Sequence, residues 1–122
     1  MEIGAEWLVE AGGCDASALR DVAVLGGLFA SVIDDLNLQP LHEPAWHVFP
    51  GHAGVTGFVM LTESHLACHT YPEHGIATIN LYCCRPRPDW PWEEQLAQML
   101  GAREVCVRRL DRGMNRAMES SR

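Results

Sequence analysis

Within residues 61–75, LTESHLACHTYPEHG, the chain places Glu63, Ser64, His65, Cys68, His69, Glu73 and His74. Nucleophile, imidazole and carboxylate at this density admit several kinds of chemistry. His65 and His69 lie four apart with Cys68 and His74 close by, a spacing that suits zinc on a helix. The surrounding residues are β-rich, however, and on a strand a spacing of four spreads side chains by about 13 Å. No metal site is therefore expected. Ser64 next to a histidine could serve a hydrolase, but no GxSxG elbow frames it. The plain alternative is that the histidines satisfy polar turns, and this is the reading adopted for His52 and His74.

Composition narrows the chemistry further. The chain has 122 residues and a net charge of −7, and its nine basic residues are all arginine. Without lysine there can be no internal Schiff base to pyridoxal phosphate and no P-loop. The negative balance argues against nucleic acid and fits a cationic small molecule. No apolar run approaches the roughly 20 residues that cross a bilayer. The opening MEIGAEWLVE lacks the basic region of a secretory leader, so a cytoplasmic protein without membrane association is expected. Its five cysteines are odd in number and form no CxxC pair. In a reducing compartment disulfides are not expected, and most of the five read as buried small hydrophobes. The length suits a single domain spanning 1–122, for which a partner subunit would add burial.

These residues need elements to position them. Residues 5–12 read as a strand. Asp15 offers an N-cap, and Leu19, Val22, Leu25, Phe29, Val32, Ile33 and Leu36 follow at helical spacing, which predicts a helix over 16–36. Strands are predicted at 45–49, at 55–66 and at 76–84, with loops at 50–54 and 70–75. RPRPDWP reads as a proline-rich connector, WEEQLAQML as a short helix ended by Gly101, and 103–110 as a last strand. The locally basic tail beyond it reads as a solvated, partly disordered terminus. The order β-α-β-β-β-α-β predicts an α+β fold, a two-layer α/β sandwich whose antiparallel sheet carries helices on one face. Alternation in 76–84 puts Ala77, Ile79, Leu81 and Cys83 on an apolar face toward the helices. Thr78, Asn80, Tyr82 and Cys84 fall on the other, with Ile76, toward a site or partner. Cys83 is thus assigned to the core and Cys84 to chemistry.

ESHLACHTYPEHG followed by INLYCC closely resembles the short prokaryotic S-adenosylmethionine decarboxylases, whose hallmark is ESHLxxHTxPExG with a cysteine about twenty residues after the serine. Glu63, Ser64, His65, Leu66, His69, Thr70, Pro72, Glu73 and Gly75 match, and Cys84 stands at the cysteine position. Upstream, HVF and GVTG resemble the family's HxF and GVSG, so that the likeness runs from about residue 7 to 110. The resemblance implies a proenzyme. Ser64 Oγ would attack the Glu63 carbonyl, and elimination from the resulting ester would leave a β chain (1–63) and an α chain (64–122) headed by a pyruvoyl group. That ketone would replace pyridoxal phosphate as the electron-accepting cofactor.

By position, the resemblance makes His69 the processing histidine and Thr56 the counterpart of a processing serine, with a methyl that stiffens χ1. Cys84 would protonate the carbanion, Glu73 would hold ribose hydroxyls, and Phe49 would stack on adenine. His65 receives no role. Thr56 and Ser64, eight apart, would lie about 26 Å from each other along one extended strand. The family shares its sites across a dimer. Ser64 and Cys84 would come from one protomer and Phe49, Thr56, His69 and Glu73 from its partner, which predicts a homodimer with four layers, αββα. Tyr71 in place of the usual Trp, Asn80 in place of a common Asp, GGCD near residues 12–15, and the continuation CCRPRPDWPW depart from the family pattern. They leave open a pyruvoyl-dependent ornithine or arginine decarboxylase of the same superfamily. An unprocessed, non-catalytic homologue is the rival outside the enzymes. Decarboxylation of S-adenosylmethionine for spermidine synthesis is the reading adopted.

Overall fold

The structure, a computed structural model, describes residues 2–114 and 119–121. Strand β1 (Glu2–Gly12) alternates cleanly. Ala5, Trp7, Val9 and Ala11 are buried, while Glu6, Leu8 and Glu10 face the other way. Beside it run β5 (Ile76–Cys83) and β6 (Glu104–Gly113), both antiparallel. Outward from β5 lie β4 (Ser64–Tyr71), β3 (Val55–Met60) and β2 (Ala45–Val48), and outward from β6 lies the short β7 (Glu119–Ser121). Neighbours in this seven-stranded sheet pair antiparallel throughout. Helices α1 (Ala16–Leu19), α2 (Val22–Asp35) and α3 (Trp92–Leu100) join the inner face in one core containing Trp7, Phe29, Leu66, Leu81, Trp92 and Leu96. The α+β class and the antiparallel sheet are as expected, as is the inward assignment of Cys83, which is 1% exposed.

Several element boundaries are corrected. The helix expected over 16–36 is two helices, because Asp21, not Asp15, makes the working cap. Its side chain accepts from the backbone N–H of Ala23 and Val24, whereas Asp15 makes no side-chain cap bond. An oxygen that satisfies two otherwise orphaned N–H groups favours a new start there over continuation through Arg20. The long strand expected over 55–66 folds back on itself at residues 61–63. It forms a β3–β4 hairpin in which β4 runs on through Tyr71, leaving 72–75 as the turn. The basic tail is strand as far as Gly113 and again at 119–121, so it is not a disordered terminus there; residues 115–118 and 122 lie outside the described ones.

The proline-rich connector does structural work as well. Trp90 and Trp92 are buried with ring centroids 4.8 Å apart. Trp90 Nε1 donates to Asp35 and Trp7 Nε1 donates to Asp89. Pairing the Trp7 and Trp90 N–H groups in this way ties β1 and α2 to the connector ahead of α3. Gly101 then ends α3 in the left-handed conformation, φ 68°.

Candidate active site

The hairpin decides where each candidate residue sits. The turn at 61–63 is held by Leu61 N–H donating to Ser64 O at 2.9 Å and Thr62 N–H donating to Gln39 O at 2.9 Å. Ser64 therefore opens β4 at one end of the ladder, directly across from Cys83. Their side chains meet on the inner face. The Cys83 thiol is pushed up to about 11, chiefly by burial, with Arg87 and a hydrogen bond to Ser64 pulling the other way.

Just past the end of β5, the Cys84 N–H donates to the Glu63 carbonyl at 2.8 Å. This donor points at the carbonyl that precedes Ser64, where it would stabilise a developing oxyanion. The Glu63 side chain is ion-paired with Arg85. Glu63, Ser64 and Cys84 are thus brought together, and the Cys84 side chain is exposed.

At the far end of β3 and β4 a second group assembles. Thr56 pairs with His69 across the ladder, and Thr56 Oγ1 lies 3.0 Å from His69 Nδ1. The buried Thr70 donates to Leu19 O and accepts from Val55 N–H, so its hydroxyl is fully used in holding the hairpin to α1. Phe49 lies just beyond β2, where its N–H closes the loop onto Gly54 O at 2.8 Å. A cavity of about 420 Å³ is lined by Phe49, His52, Thr56, His69, Tyr71 and Glu73, among others. An aromatic, a carboxylate, a hydroxyl and an imidazole converge there, as a polar aromatic ligand such as a nucleoside would need.

The two groups do not meet within one chain. Ser64 stands level with Leu61, five residues along β3 from Thr56, or about 17 Å. The expectation of one unbroken strand is corrected, but the separation persists because His69 and Ser64 occupy opposite ends of β4. Alternation also separates the residues once considered for zinc. Cys68 is buried, its thiol pushed up to about 11 by burial, whereas His65 and His69 face outward. Among the described residues no cluster is arranged to hold a metal ion, and no helix is long and apolar enough to cross a membrane.

His65, given no role from sequence, is the residue whose surroundings were not legible. Its ring sits between Phe58 and Tyr82 and reaches Asn80, which reaches Glu6. Tyr82 lies directly across the ladder from His65, and the other contacts run diagonally between strands. Only the antiparallel registers of β4, β5 and β1 reveal them.

Comparison with known proteins gives a consistent result. A family model described as S-adenosylmethionine decarboxylase matches residues 5–113. The chain is 35% identical over 112 residues to the S-adenosylmethionine decarboxylase proenzyme of Geobacillus kaustophilus, covering 92% of this chain and 89% of that one. It is 34% identical over 113 residues to S-adenosylmethionine decarboxylase proenzyme 2 of Halalkalibacterium halodurans, covering 92% and 87%. The crystal structure of the adenosylmethionine decarboxylase from Aquifex aeolicus matches with a TM-score of 0.76 and 25% identity over 93% of this chain and 92% of that one.

Proposed function

The chain belongs to the S-adenosylmethionine decarboxylase family, and from that premise we propose that it is a proenzyme whose Glu63–Ser64 bond is the one it cuts. The observation that carries the reading is the 2.8 Å hydrogen bond from Cys84 N–H to the Glu63 carbonyl, with the Ser64 hydroxyl on the next residue. In the proposed step, Ser64 Oγ attacks the Glu63 carbonyl carbon and the oxyanion forms against the Cys84 N–H. Collapse expels the Ser64 nitrogen and leaves an ester. Loss of the Ser64 α-proton to a base then breaks the Cβ–O bond. Glu63 departs as a carboxylate and residue 64 becomes dehydroalanine, which water converts to a pyruvoyl group with release of ammonia.

The residues fit such a group. Ser64 begins a strand at a tight reversal, so the new terminus lies where the turn was, beside Cys84. A pyruvoyl ketone accepts electrons released with CO₂ from an amine-bound substrate, which suits a chain without lysine. Cys84 then holds the proton that returns to the substrate carbon. Phe49 and Glu73 line the cavity that would take the adenosine of S-adenosylmethionine.

The base is assigned to His69, oriented by Thr56. Since His69 stands about 17 Å from Ser64 in its own chain, the proposal includes a homodimer in which each chain's His69, Thr56, Phe49 and Glu73 complete the partner's Ser64 and Cys84. The outer face of the sheet supports this. Phe58, Met60, Tyr71 and Ile76 are 38–48% exposed on it, and a second copy would cover them. A four-layer αββα assembly, a single domain across 1–122 and a cytoplasmic setting belong to the same proposal.

Intact-mass measurement after incubation tests the cut. Fragments of 63 and 59 residues are expected, while a chain that stays whole would make it a non-catalytic homologue. CO₂ release from S-adenosylmethionine, ornithine and arginine side by side tests the substrate, and preference for either amino acid would overturn the adenosine assignment.

A further inference from the structure

Cutting before Ser64 removes the covalent anchor on one side of the residue that becomes the cofactor. A chain terminus frays unless it is tied down, and a reacting group misplaced by about 1 Å can cost on the order of 100-fold in rate. Building on the self-cleavage reading, we propose that His65 is the tie, a positioning residue that holds the new terminus in its working orientation.

Two independent constraints fix its ring. It lies between Phe58, centroids 6.1 Å apart and planes at 29°, and Tyr82, 5.8 Å and 18°. Its Nε2 is 3.0 Å from Asn80 Oδ1. Asn80 gives its amide nitrogen to Glu6 Oε2 at 2.7 Å, so its oxygen is left to accept and His65 Nε2 carries the proton. Glu6 is held in turn by Arg112 Nη1, which donates to Oε1 at 2.8 Å.

The line Arg112–Glu6–Asn80–His65 crosses β6, β1, β5 and β4 diagonally and takes one side chain from each, a separation that long polar side chains can span. It ends at the first side chain after the new terminus. Residue 64 itself keeps one main-chain tie, its carbonyl accepting from Leu61 N–H at 2.9 Å. Beside it lies a cavity of about 610 Å³ lined by Ile3, Glu6, His65, Tyr82 and Arg112. The imidazole forms part of the wall of that space, one residue along the strand from the position that carries the ketone. A smaller side chain would leave the terminus room to swing.

Before the cut Ser64 is anchored on both sides, so the loss of His65 should bear on turnover far more than on cleavage. Four variants of the full chain, His65→Ala, His65→Gln, His65→Phe and Asn80→Ala, are followed by intact mass for cleavage and by CO₂ release for kcat and KM. All four are expected to yield the 1–63 and 64–122 fragments. His65→Ala should lose about 100-fold in kcat, with KM changed less than about threefold, because the positioning it supplies counts in the transition state and not in substrate binding. His65→Gln retains the donor and His65→Phe retains the stack, so each should recover part of that loss. Asn80→Ala should lose about tenfold in kcat, the scale of one hydrogen bond. A cleaved Asn80→Ala with wild-type kcat, or Gln and Phe variants no better than Ala, would overturn the proposal. If His65→Ala does not fold, Asn80→Ala decides alone. Failure of the wild type to be cut would instead overturn self-cleavage, so the two failures are told apart.

Discussion

Thr56 Oγ1 lies 3.0 Å from His69 Nδ1, across the β3–β4 ladder and at the end of β4 remote from Ser64. The hydroxyl restrains the ring's rotation, which a base acting on another chain would need. Thr56→Val keeps the shape and removes the bond. Self-cleavage should slow about tenfold, the worth of one hydrogen bond, while Thr56→Ser stays near wild type. A gel time course measures both, and equal rates for the two variants would remove Thr56 from the processing step.

Cys84 is placed in two roles that substitution can separate. Its N–H donates to the Glu63 carbonyl, and under the proposed function its exposed thiol would serve the substrate carbon. Cys84→Ala keeps the N–H, so fragments should still appear. CO₂ release should fall by about 100- to 10,000-fold, the range for a lost acid catalyst. Wild-type turnover in a cleaved Cys84→Ala protein would refute the assignment.

Ser64→Ala keeps the turn and removes the oxygen proposed to attack. The purified protein should remain one chain of 122 residues. It should also lack a carbonyl that hydrazine can trap. Cleavage at 63/64 in this variant would show that another group breaks the bond.

Cys68 and Cys83 give a pH dependence of stability. Burial is the leading cause that raises each thiol from 9.0 to about 11. Above pH 9 the unfolded chain loses these protons while the folded chain retains them, so unfolding becomes easier. The contribution is intact below pH 9 and is lost progressively toward pH 11. Each thiol adds up to about 1.4 kcal/mol per pH unit to the slope. Urea midpoints between pH 8 and 11 should fall, and Cys68→Ala should fall less steeply. Parallel curves would disprove the linkage.

Gly57 carries a constraint that looks incidental in the sequence. A Cβ there would overlap the Trp46 indole, which also lies 5.0 Å from Phe29 across to α2. Gly57→Ala should cost about 1–3 kcal/mol, the usual range for overpacking. Because Trp46 holds β2 beside β3, the variant should also raise KM if Phe49 binds substrate. Unchanged stability in denaturant would mean that Trp46 has room to move.

What was legible in the chain follows from the range of the forces involved. Period-two alternation in residues 76–83 reports a buried face directly, so the burial of Cys83 was legible there. The motif around Ser64 was legible because its residues are contiguous. The break at Asp21 was missed because the apolar period continues unbroken through it, and capping acts on two N–H groups that periodicity does not see. The reversal at 61–63 was missed because LTES carries neither glycine nor proline. Its turn is fixed by Gln39, which is distant in sequence. The same non-locality hid the surroundings of His65, whose partners come from two other strands.

The distance between Ser64 and His69 along β4 has a kinetic corollary. Under the proposed division of labour a solitary chain owns nucleophile and base alike yet can never bring them into register. Ripening would then be second order in dilute solution and first order once the subunits have associated. Newly made polypeptide would stay dormant until enough of it had accumulated to find a mate, and the half-life of the uncut form would measure how scarce the protein is.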